Sequence, residues 1–244
     1  MNTLYITGAG VSAESGIPTF RGEDGFWTIG SKNYTPEEMA TRAMYQNNPV
    51  EFLSWYYHRF ASYRNYEPNT VHQWLADKNL ITQNIDGLDG KAGNTDYIAI
   101  HGRLDQMTLF HNQANSDIGI ITTPWDSIDE NNVVDSLLDL FQIKETPVLN
   151  KSFKPYVLLF DEIYTELYRI SEAQQRMFDA DRIIFIGTSF SVNITEMALS
   201  IAFKQKTPIE IVDIDPINPP LLNATIHKME ASTYVDKIKN GELA

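Results

Sequence analysis

The sequence contains no cysteine among its 244 residues. This absence excludes disulfide bonds, thiolate catalysis and any zinc site built from cysteine ligands. Histidine is also scarce, and the five histidines show none of the paired spacing that histidine metal sites use: His58, His72, His101, His111 and His227. We therefore predict that the protein holds no metal.

Long apolar runs and clusters of basic residues are missing as well. No apolar stretch approaches the ~20 residues that a membrane-spanning helix needs, and the start of the chain, Met1-Asn2-Thr3, has no basic segment typical of a signal peptide. The formal charge is −13, which repels phosphate backbones. The sequence therefore predicts a cytoplasmic protein without a membrane or nucleic-acid partner, and it does not indicate an oligomeric state.

Short apolar segments alternate with helical segments along most of the chain. This alternation predicts an α/β fold with a doubly wound parallel sheet. The stretch at 103–151 is the least regular, and residues 18–34 are rich in glycine and aromatics, which indicates a loop. Predicted strands cover residues 3–8, 80–83, 97–101, 156–160, 182–186 and 208–214, the last being the final core strand. Predicted helices cover residues 11–16, 49–66, 68–78, 132–141, 171–179 and 195–204, and another begins at Thr35-Pro36.

A glycine turn follows the first predicted strand. Gly8-Ala9-Gly10 comes directly after the apolar residues Leu4-Tyr5-Ile6 and precedes small residues that can begin a helix. A strand, a tight turn and a helix start can together present unpaired backbone N–H groups to a phosphate. Because such turns also occur without a nucleotide, Gly-x-Gly alone is weak evidence.

The longer string around this turn is more specific. Residues 8–22 read GAGVSAESGIPTFRG, and TQNIDGL at 82–88 and His101-Gly102 follow in the chain. Together these motifs resemble the signature of the sirtuins, which are NAD-dependent protein deacylases, and the resemblance covers nearly the whole chain except residues 104–152. It implies NAD as the cofactor and an acyl-lysine protein or peptide as the substrate. The implied products are nicotinamide and O-acyl-ADP-ribose.

The resemblance also implies two domains. A Rossmann-like NAD-binding domain would comprise residues 1–33, 71–103 and 153–244, and a small, mostly helical insertion domain would comprise 34–70 and 104–152. Most sirtuins carry a zinc ion held by four cysteines in the second insertion. Without cysteine, something else must stabilise that region, and we expect an apolar core from Leu109, Phe110, Ile120, Ile121, Leu137, Leu138 and Phe141.

His101 is the predicted general base. It ends a predicted strand at the edge where open parallel sheets bind nucleotides, although an isolated histidine at a strand end is more often structural. Imidazole titrates near neutrality, and the resemblance assigns it the removal of a proton from a ribose hydroxyl. The resemblance further gives Gln83 and Asn84 as ribose contacts, with Asn84 also catalytic, and Ile85 and Asp86 as contacts of the nicotinamide carboxamide. An Asx turn is the alternative for this segment.

The other predicted cofactor contacts lie in two turns and a loop. The resemblance implies that Phe20 shields the reactive sugar carbon from water and that Arg21 orders the phosphates. Gly187-Thr188-Ser189 follows a buried strand and suits a diphosphate or ribose, and Asp213 can accept from a ribose hydroxyl, although both can be ordinary turns. The full set is Gly8, Ala9, Gly10, Ser12, Ala13, Phe20, Arg21, Gln83, Asn84, Ile85, Asp86, Gly187, Thr188, Ser189 and Asp213.

The segment FKPYVLLFDE at 153–162 resembles the substrate strand of the family. That strand binds the acyl-lysine peptide as an added β-strand through main-chain hydrogen bonds. The implied substrate contacts are Val157, Leu159, Phe160, Asp161 and Val192. Because the family usually has glycine at the position of Asp161, a side chain there can alter or obstruct peptide binding.

Tyr56 and Arg59 suggest which acyl group is removed. They lie one helical turn apart, and they resemble the Tyr-x-x-Arg pair of sirtuins that remove succinyl and malonyl groups, as do Glu67-Pro68-Asn69 and His72 nearby. In those enzymes the pair reads the distal carboxylate by charge-assisted hydrogen bonds. A helix surface pair is the alternative reading.

Three other functions are compatible with parts of the sequence. NAD hydrolysis or ADP-ribosyl transfer could use the same pocket, and Asp161 and the unusual small domain leave that possibility open. A non-catalytic sensor of NAD or ADP-ribose is disfavoured by the intact set of His101, Asn84, Asp86 and Arg21. An ordinary Rossmann dehydrogenase is disfavoured because no acidic ribose partner stands in the expected place after the glycine turn.

Overall fold

A computed structural model describes residues 1–19, 34–113, 118–219 and 224–243. The strands, in chain order, are β1 (Thr3–Thr7), β2 (Asn79–Thr82), β3 (Ile98–Ala99), β4 (Gly102–Leu109), β5 (Ile120–Thr122), β6 (Phe153–Val157), β7 (Arg182–Ile186), β8 (Ile209–Asp213) and β9 (Ala224–Lys228). The helices are α1 (Gly10–Ala13), α2 (Pro36–Met39), α3 (Arg42–Asn47), α4 (Pro49–Tyr63), α5 (Thr70–Leu75), α6 (Leu88–Lys91), α7 (Val133–Leu140), α8 (Ile170–Phe178), α9 (Asn193–Gln205) and α10 (Ala231–Lys239).

Six strands form one parallel sheet in the order β3-β2-β1-β7-β8-β9. This order reverses direction between β1 and β7, as it does in a Rossmann fold, and ligands of such sheets bind at that reversal, outside the carboxyl ends of the strands. The parallel sheet confirms the predicted fold class.

Alternating residues of β1 reach two separate cores on the faces of this sheet. Leu4 and Ile6 are fully buried on the face covered by α8 and α9, whereas Tyr5 packs on the opposite face against α5 and α10. Because both faces are covered, the central strands are apolar almost throughout. The rigid sheet fixes the positions of the turns that follow its strands.

A second sheet has three antiparallel strands in the order β5-β4-β6. With α2, α3, α4 and α7 it encloses a third core, which is rich in aromatic side chains. The sequence did not predict this sheet. One of its strands, β6, comes from the segment that the resemblance placed in the NAD-binding domain.

Four of the seven predicted core residues of this region belong to its core or pack against it. Phe110, Leu137 and Phe141 belong to the core, and Leu138 packs against it. The prediction was wrong for Ile120 and Ile121, which are 37% and 46% exposed on the edge strand β5. Leu109 is half-buried.

The core of this region is centred on Trp125 instead. Its ring is 1% exposed and stacks on Phe60 at 5.3 Å, with Phe141 at 5.5 Å. The indole N–H donates to the carbonyl of Leu104 at 2.9 Å, so its polar atom is also satisfied.

Several predicted element bounds need correction. The strand predicted at 97–101 is only two residues long, and the strand predicted at 156–160 ends at Val157. The strand predicted to be last is followed by β9 and α10, which the sequence did not predict because β9 carries polar residues on an edge of the sheet. The predicted start at Thr35-Pro36 is confirmed: Thr35 accepts from the N–H of Glu38, and the Glu38 side chain accepts from the N–H of Thr35.

Candidate active site

Five segments meet outside the carboxyl ends of the parallel strands. The glycine turn follows β1, Gln83 to Asp86 follow β2, His101 follows β3, Gly187 to Ser189 follow β7, and Asp213 ends β8. These segments hold most of the predicted cofactor residues, although they lie far apart in the sequence. The turns after β1 and β7 flank the reversal of the sheet order, which is the expected nucleotide position.

The turns after β1 and β7 pack backbone against backbone. A Cβ atom on Gly10 would lie 2.7 Å from the Cα of Gly187. A Cβ atom on Gly8 would lie 2.7 Å from the carbonyl oxygen of Gly187. Gly187 itself has a φ of +62°, and a Cβ there would lie 2.7 Å from the amide nitrogen of Val11. No larger residue fits this contact without a shift of the backbone.

The N–H groups of the first turn are largely paired within the protein. Gly8 donates to the carbonyl of Ile186 and Gly10 to that of Gly187. Val11 and Ser12 donate to the carbonyls of Gly8 and Ala9. The prediction of a turn with unpaired N–H groups was therefore wrong for these four, because they hold the two turns and the first turn of α1 together.

Polar side chains form a connected network beside this turn. The Asn84 amide donates to the carbonyl of Gly8 at 3.0 Å and to Oγ of Ser12 at 3.1 Å. Ser12 in turn donates to Oδ2 of Asp86 at 2.7 Å. Gln83 donates to Oγ1 of Thr188 at 3.1 Å. The network brings predicted residues from three strand ends together in one polar surface.

Asp86 is held in a confined environment. Burial raises the pKa of its carboxyl group, although the hydrogen bonds from the N–H of Leu88 and the hydroxyl of Ser12 act in the opposite direction. Its neighbour Ile85 is half-buried and fixed by its carbonyl, which accepts from the N–H of Leu104 at 2.8 Å. Both residues are thus positioned by the ends of β2 and β4.

The remaining predicted cofactor residues differ in burial. Thr188 is buried, whereas Ser189 is exposed and pairs with the hydroxyl of Ser191 at 2.8 Å. Asp213 accepts from the N–H of Asp215 at 2.9 Å, which gives it a role in the local turn. Ala9 and Ala13 lie beside the turn and on α1. Phe20 and Arg21 lie outside the described residues.

His101 is held by hydrogen bonds on both ring nitrogens. Nδ1 lies 3.0 Å from the carbonyl oxygen of Gln83, which can only accept, so Nδ1 carries the proton and Nε2 carries the lone pair. Nε2 lies 2.9 Å from the hydroxyl of Tyr164, which therefore donates to it. Burial lowers the pKa of His101 to about 4, so the imidazole is neutral and able to accept a proton near pH 7.

Tyr164 was missed by the sequence analysis. It lies 63 residues from His101 in the chain and two residues after the segment that resembles a substrate strand. Nothing in its local sequence marks it as a site residue, and only the fold brings the two side chains together.

The segment predicted to bind substrate is largely engaged with the protein. The N–H groups of Leu158, Leu159 and Phe160 donate to His101, Glu162 and Ala40, respectively. Pairing with a peptide would therefore depend on other main-chain groups of this segment. Of its predicted contacts, Val157 and Leu159 are buried and Phe160 is 55% exposed. Val192, half-buried, directly precedes α9.

Asp161 binds the start of a helix. Its carboxylate accepts from the backbone N–H groups of Arg42 and Ala43 at 2.6 and 3.1 Å, at the N-terminus of α3. A carboxylate in that place is stabilised by the helix dipole and satisfies two unpaired donors. Asp161 thus joins the substrate segment to α3.

The next residue, Glu162, lies between two cations. It accepts from Nζ of Lys154 and from the guanidinium of Arg42, each at 3.0 Å. Burial alone would raise its pKa, but the charges and hydrogen bonds of these partners lower it. Glu162 therefore remains ionised and fixes the end of the substrate segment.

Tyr56 and Arg59 are buried together on the inner face of α4. They are 1% and 5% exposed, so they are not a helix surface pair. The guanidinium of Arg59 stacks over the Trp55 ring at 3.3 Å and donates to the carbonyl of Trp55. Burial lowers the pKa of Arg59 to about 10, although Tyr56 and Tyr63 raise it.

The residues flanking this pair have structural contacts. Asn69 caps α5 and donates to the carbonyl of Val11 at 2.8 Å. His72 is fully buried, and its Nε2 lies 3.4 Å from Oγ of Ser12. Both residues hold α5 against the glycine turn, so the case for acyl selectivity depends on Tyr56 and Arg59.

A cavity of about 480 Å³ lies between the end of α4 and Asp86. This volume is within the range of small-molecule sites. Tyr56 and Arg59 do not line it. Its lining consists of Phe60, Tyr63, Arg64, Asn65, Asp86, Gly87, Lys91, Leu104, Asp105 and Asp126.

The residues do not fit the zinc site that is usual for the family suggested by the sequence. There is no cysteine in the chain, and within residues 1–19, 34–113, 118–219 and 224–243 no cluster of histidine and carboxylate side chains could hold a metal ion. None of the helices in these ranges is long and apolar enough to cross a membrane.

The sequence model of the Sir2 family matches residues 8–194. A protein of Caldanaerobacter subterraneus subsp. tengcongensis, named NAD-dependent protein deacylase 1, is 33% identical over 230 residues, which cover 90% of this chain and 84% of that protein. A protein of the same name from Archaeoglobus fulgidus is 33% identical over 228 residues, which cover 89% of this chain and 82% of that protein.

Solved structures of Sir2 homologues have the same fold. A homologue in complex with NAD gives a TM-score of 0.74 at 28% identity, covering 98% of this chain and 88% of that one. A homologue in complex with ADP-ribose gives a TM-score of 0.74 at 26% identity, covering 100% of this chain and 94% of that one.

Proposed function

The chain belongs to the Sir2 family, and from this premise we propose that it is an NAD-dependent protein deacylase that releases nicotinamide and O-acyl-ADP-ribose. The observation that carries the proposal is the position of His101. His101 follows β3 at the carboxyl edge of the sheet, and its Nδ1 donates to the carbonyl of Gln83, the residue next to Asn84 in the polar network of Ser12, Asn84 and Asp86. A neutral base and a set of amide and carboxylate groups are what this chemistry requires.

The polar groups of the site fit NAD by their chemistry. Hydroxyl, amide and carboxylate groups of Ser12, Asn84 and Asp86 can bind a ribose and a carboxamide, which need both donors and acceptors. Gln83 and Thr188 extend this surface to the end of β7. When bound, NAD supplies the sugar carbon that receives the acyl oxygen and nicotinamide as the leaving group. We infer that Ser12, Gln83, Asn84, Asp86 and Thr188 hold it.

Within this proposal, His101 accepts the proton of a ribose hydroxyl. The carbonyl of Gln83 keeps the proton on Nδ1, so the basic lone pair stays on Nε2. The hydrogen bonds of the Asn84 amide to Gly8 and Ser12 orient the groups at the bottom of the pocket. The protein thus keeps one neutral acceptor and one fixed amide at the place where the sugar would lie.

A preference for succinyl- or malonyl-lysine is the finer part of the proposal. Arg59 is a buried cation whose charged form is disfavoured by burial, and a carboxylate at the end of an acyl chain would offset that cost. Tyr63, one helical turn after Arg59 on α4, lines the cavity beside Asp86, which supports a location of Arg59 toward the active-site side of α4.

The division into domains is also a proposal. We infer an NAD-binding domain from residues 1–33, 71–103 and 153–244 and a small domain from 34–70 and 104–152. The separate aromatic core of the second region supports it. The pairing of β6 with β4 shows that residues 153–157 form part of the second sheet, so the substrate segment begins where the two sheets adjoin.

Product analysis tests the function. The protein is incubated with NAD and with acetyl-, succinyl- or malonyl-lysine peptides, and the products are identified by mass spectrometry. O-acyl-ADP-ribose in amounts that depend on the peptide is the expected result. Free ADP-ribose without peptide would identify a hydrolase, and binding of NAD without turnover would identify a sensor. Either of these two results would contradict the proposal.

A further inference from the structure

The hydroxyl of Tyr164 is hydrogen-bonded to the basic nitrogen of the proposed catalytic histidine. It donates to Nε2 of His101 at 2.9 Å, and the two rings stack at 5.9 Å between centroids with an angle of 26°. A neutral imidazole has one lone pair, and on His101 that lone pair is on Nε2. A ribose hydroxyl therefore cannot donate to Nε2 while this bond with Tyr164 is intact.

Tyr164 is held in this place from its other side. The backbone N–H of Ile194, in the first turn of α9, interacts with the phenol and lowers its pKa. The ring also packs against the core beneath the parallel sheet. An N–H group that interacts with the phenol oxygen makes the Tyr164 hydroxyl a stronger hydrogen-bond donor to His101. These contacts favour a tyrosine that remains in place over one that moves aside.

Burial raises the pKa of Tyr164 to about 12, and the N–H of Ile194 partly offsets this effect. The phenol is therefore protonated near neutral pH and has a proton to pass to His101. Its oxygen has two lone pairs, and the N–H of Ile194 can engage at most one of them. The second can accept a hydrogen bond from a substrate hydroxyl.

We propose that Tyr164 relays the proton of the ribose hydroxyl to His101, an inference that rests on the proposed deacylase function. The O–H bond of the ribose breaks as its proton binds Oη of Tyr164. At the same time the O–H bond of Tyr164 breaks and its proton binds Nε2 of His101. Tyr164 ends as the neutral phenol, His101 as the imidazolium, and the ribose oxygen as the nucleophile that attacks the acyl carbon.

The variant Tyr164→Phe removes the hydroxyl and keeps the ring. In single turnovers with an acyl-lysine peptide, we expect O-acyl-ADP-ribose formation to slow about ten-fold, the change that the loss of one hydrogen bond gives. Nicotinamide release precedes this proton transfer and should keep its rate. Equal loss in both steps would indicate a structural role and would overturn the proposal, as would an unchanged rate in both.

The number of protons that move in the rate-limiting transition state gives a second kinetic measurement. For the acyl-transfer step, the rate of the wild type in mixtures of H₂O and D₂O should curve with deuterium content, because two protons move together. Tyr164→Phe should give a straight line, because one proton moves. A straight line for the wild type would contradict the relay.

Tyr168→Phe is the matched control. Tyr168 is also buried and stacks on Tyr156 at 5.2 Å, and its hydroxyl has no hydrogen-bond partner in the part of the chain that the structure describes. This variant removes a buried hydroxyl four residues away and should leave both rates unchanged.

A measurement without substrate separates this inference from the proposed function. The ¹⁵N resonance of Nε2 of His101, assigned with the His101→Ala variant, reports whether its lone pair accepts a hydrogen bond. It should differ between the wild type and Tyr164→Phe and should not change in Tyr168→Phe. Equal resonances in the wild type and Tyr164→Phe would overturn the inference. Absence of O-acyl-ADP-ribose from the wild type would instead contradict the function.

Discussion

The two regions of the molecule are stabilised in different ways. At the carboxyl edge of the parallel sheet, turns approach backbone to backbone, and polar side chains from separate strands bond to one another. In the second region, an aromatic core around Trp125 packs beneath a small sheet. The first arrangement positions chemical groups, whereas the second supplies buried apolar area.

We propose that this aromatic core takes the place of a four-cysteine zinc site, which a chain without cysteine cannot form. A structural zinc ion contributes to folding free energy, and burial of aromatic side chains contributes in the same sense. Trp125 contacts both Phe60 of α4 and Phe141 after α7. A single side chain therefore joins α4 to the end of α7. Substitutions in this region should change stability, whereas those at the sheet edge should change activity.

The largest effect is expected at the sheet edge. His101→Ala should reduce deacylation by about 10²- to 10⁴-fold, the usual contribution of a general base. NAD binding, measured by calorimetry, should change little, because Ser12 and Asn84 are left intact. His58→Ala, an exposed histidine on α4, is the control and should keep full activity. Deacylation near the wild-type rate by His101→Ala would show that His101 is not the base.

In the second region, Trp125→Ala should lower the free energy of unfolding by about 3–5 kcal/mol, the typical cost of deleting a buried aromatic side chain. Denaturant unfolding measures this cost, and Trp125→Phe should lose less. A strong chelator should leave the melting temperature of the wild type unchanged. A chelator-induced loss of stability, or a negligible effect of Trp125→Ala, would contradict the idea that the aromatic core stabilises the second region.

Arg59 tests whether the second region also serves the site. Arg59→Met should reduce kcat/KM for succinyl-lysine roughly ten- to a hundred-fold, since a charge-assisted hydrogen bond is lost. Activity on acetyl-lysine should be spared or improved, and the acetylated peptide is thus the internal control. Equal losses on both peptides would assign Arg59 to packing of α4 alone.

A smaller effect is expected from the contact between the two turns. Gly187→Ala places a side chain at a positive φ and against the amide of Val11, which should cost about 1–3 kcal/mol of stability and weaken NAD binding. Gly119→Ala is the control, because no atom of the residues that the structure describes lies within 4 Å of a Cβ there. Equal melting temperatures and equal NAD affinities for the two variants would argue against a tight contact.

The sequence predicted the parts of the molecule that local signals encode. The helix start at Thr35 follows from its capping residues, and β1 and β7 follow from short apolar runs. Strand β4 was not predicted because its polar residues, such as Arg103 and Asp105, obscure the alternation. These residues face a neighbouring cavity or solvent, where a strand need not be apolar.

The sequence named candidate members of the site but not the contacts between them. His101, Asn84 and Asp86 were named because their motifs resemble the sirtuin signature. The bond between His101 and Tyr164, and the contact of Asp161 with α3, join residues more than 60 positions apart. Such contacts depend on tertiary packing, for which a single sequence contains no local signal.

The most direct test of the deacylase function is the stoichiometry of NAD consumption. Nicotinamide released and lysine deacylated are counted in the same reaction, with a matched reaction that lacks the peptide. We expect one nicotinamide for each lysine and negligible consumption of NAD without peptide. Rapid consumption of NAD without peptide, with no deacylated lysine when peptide is added, would contradict it.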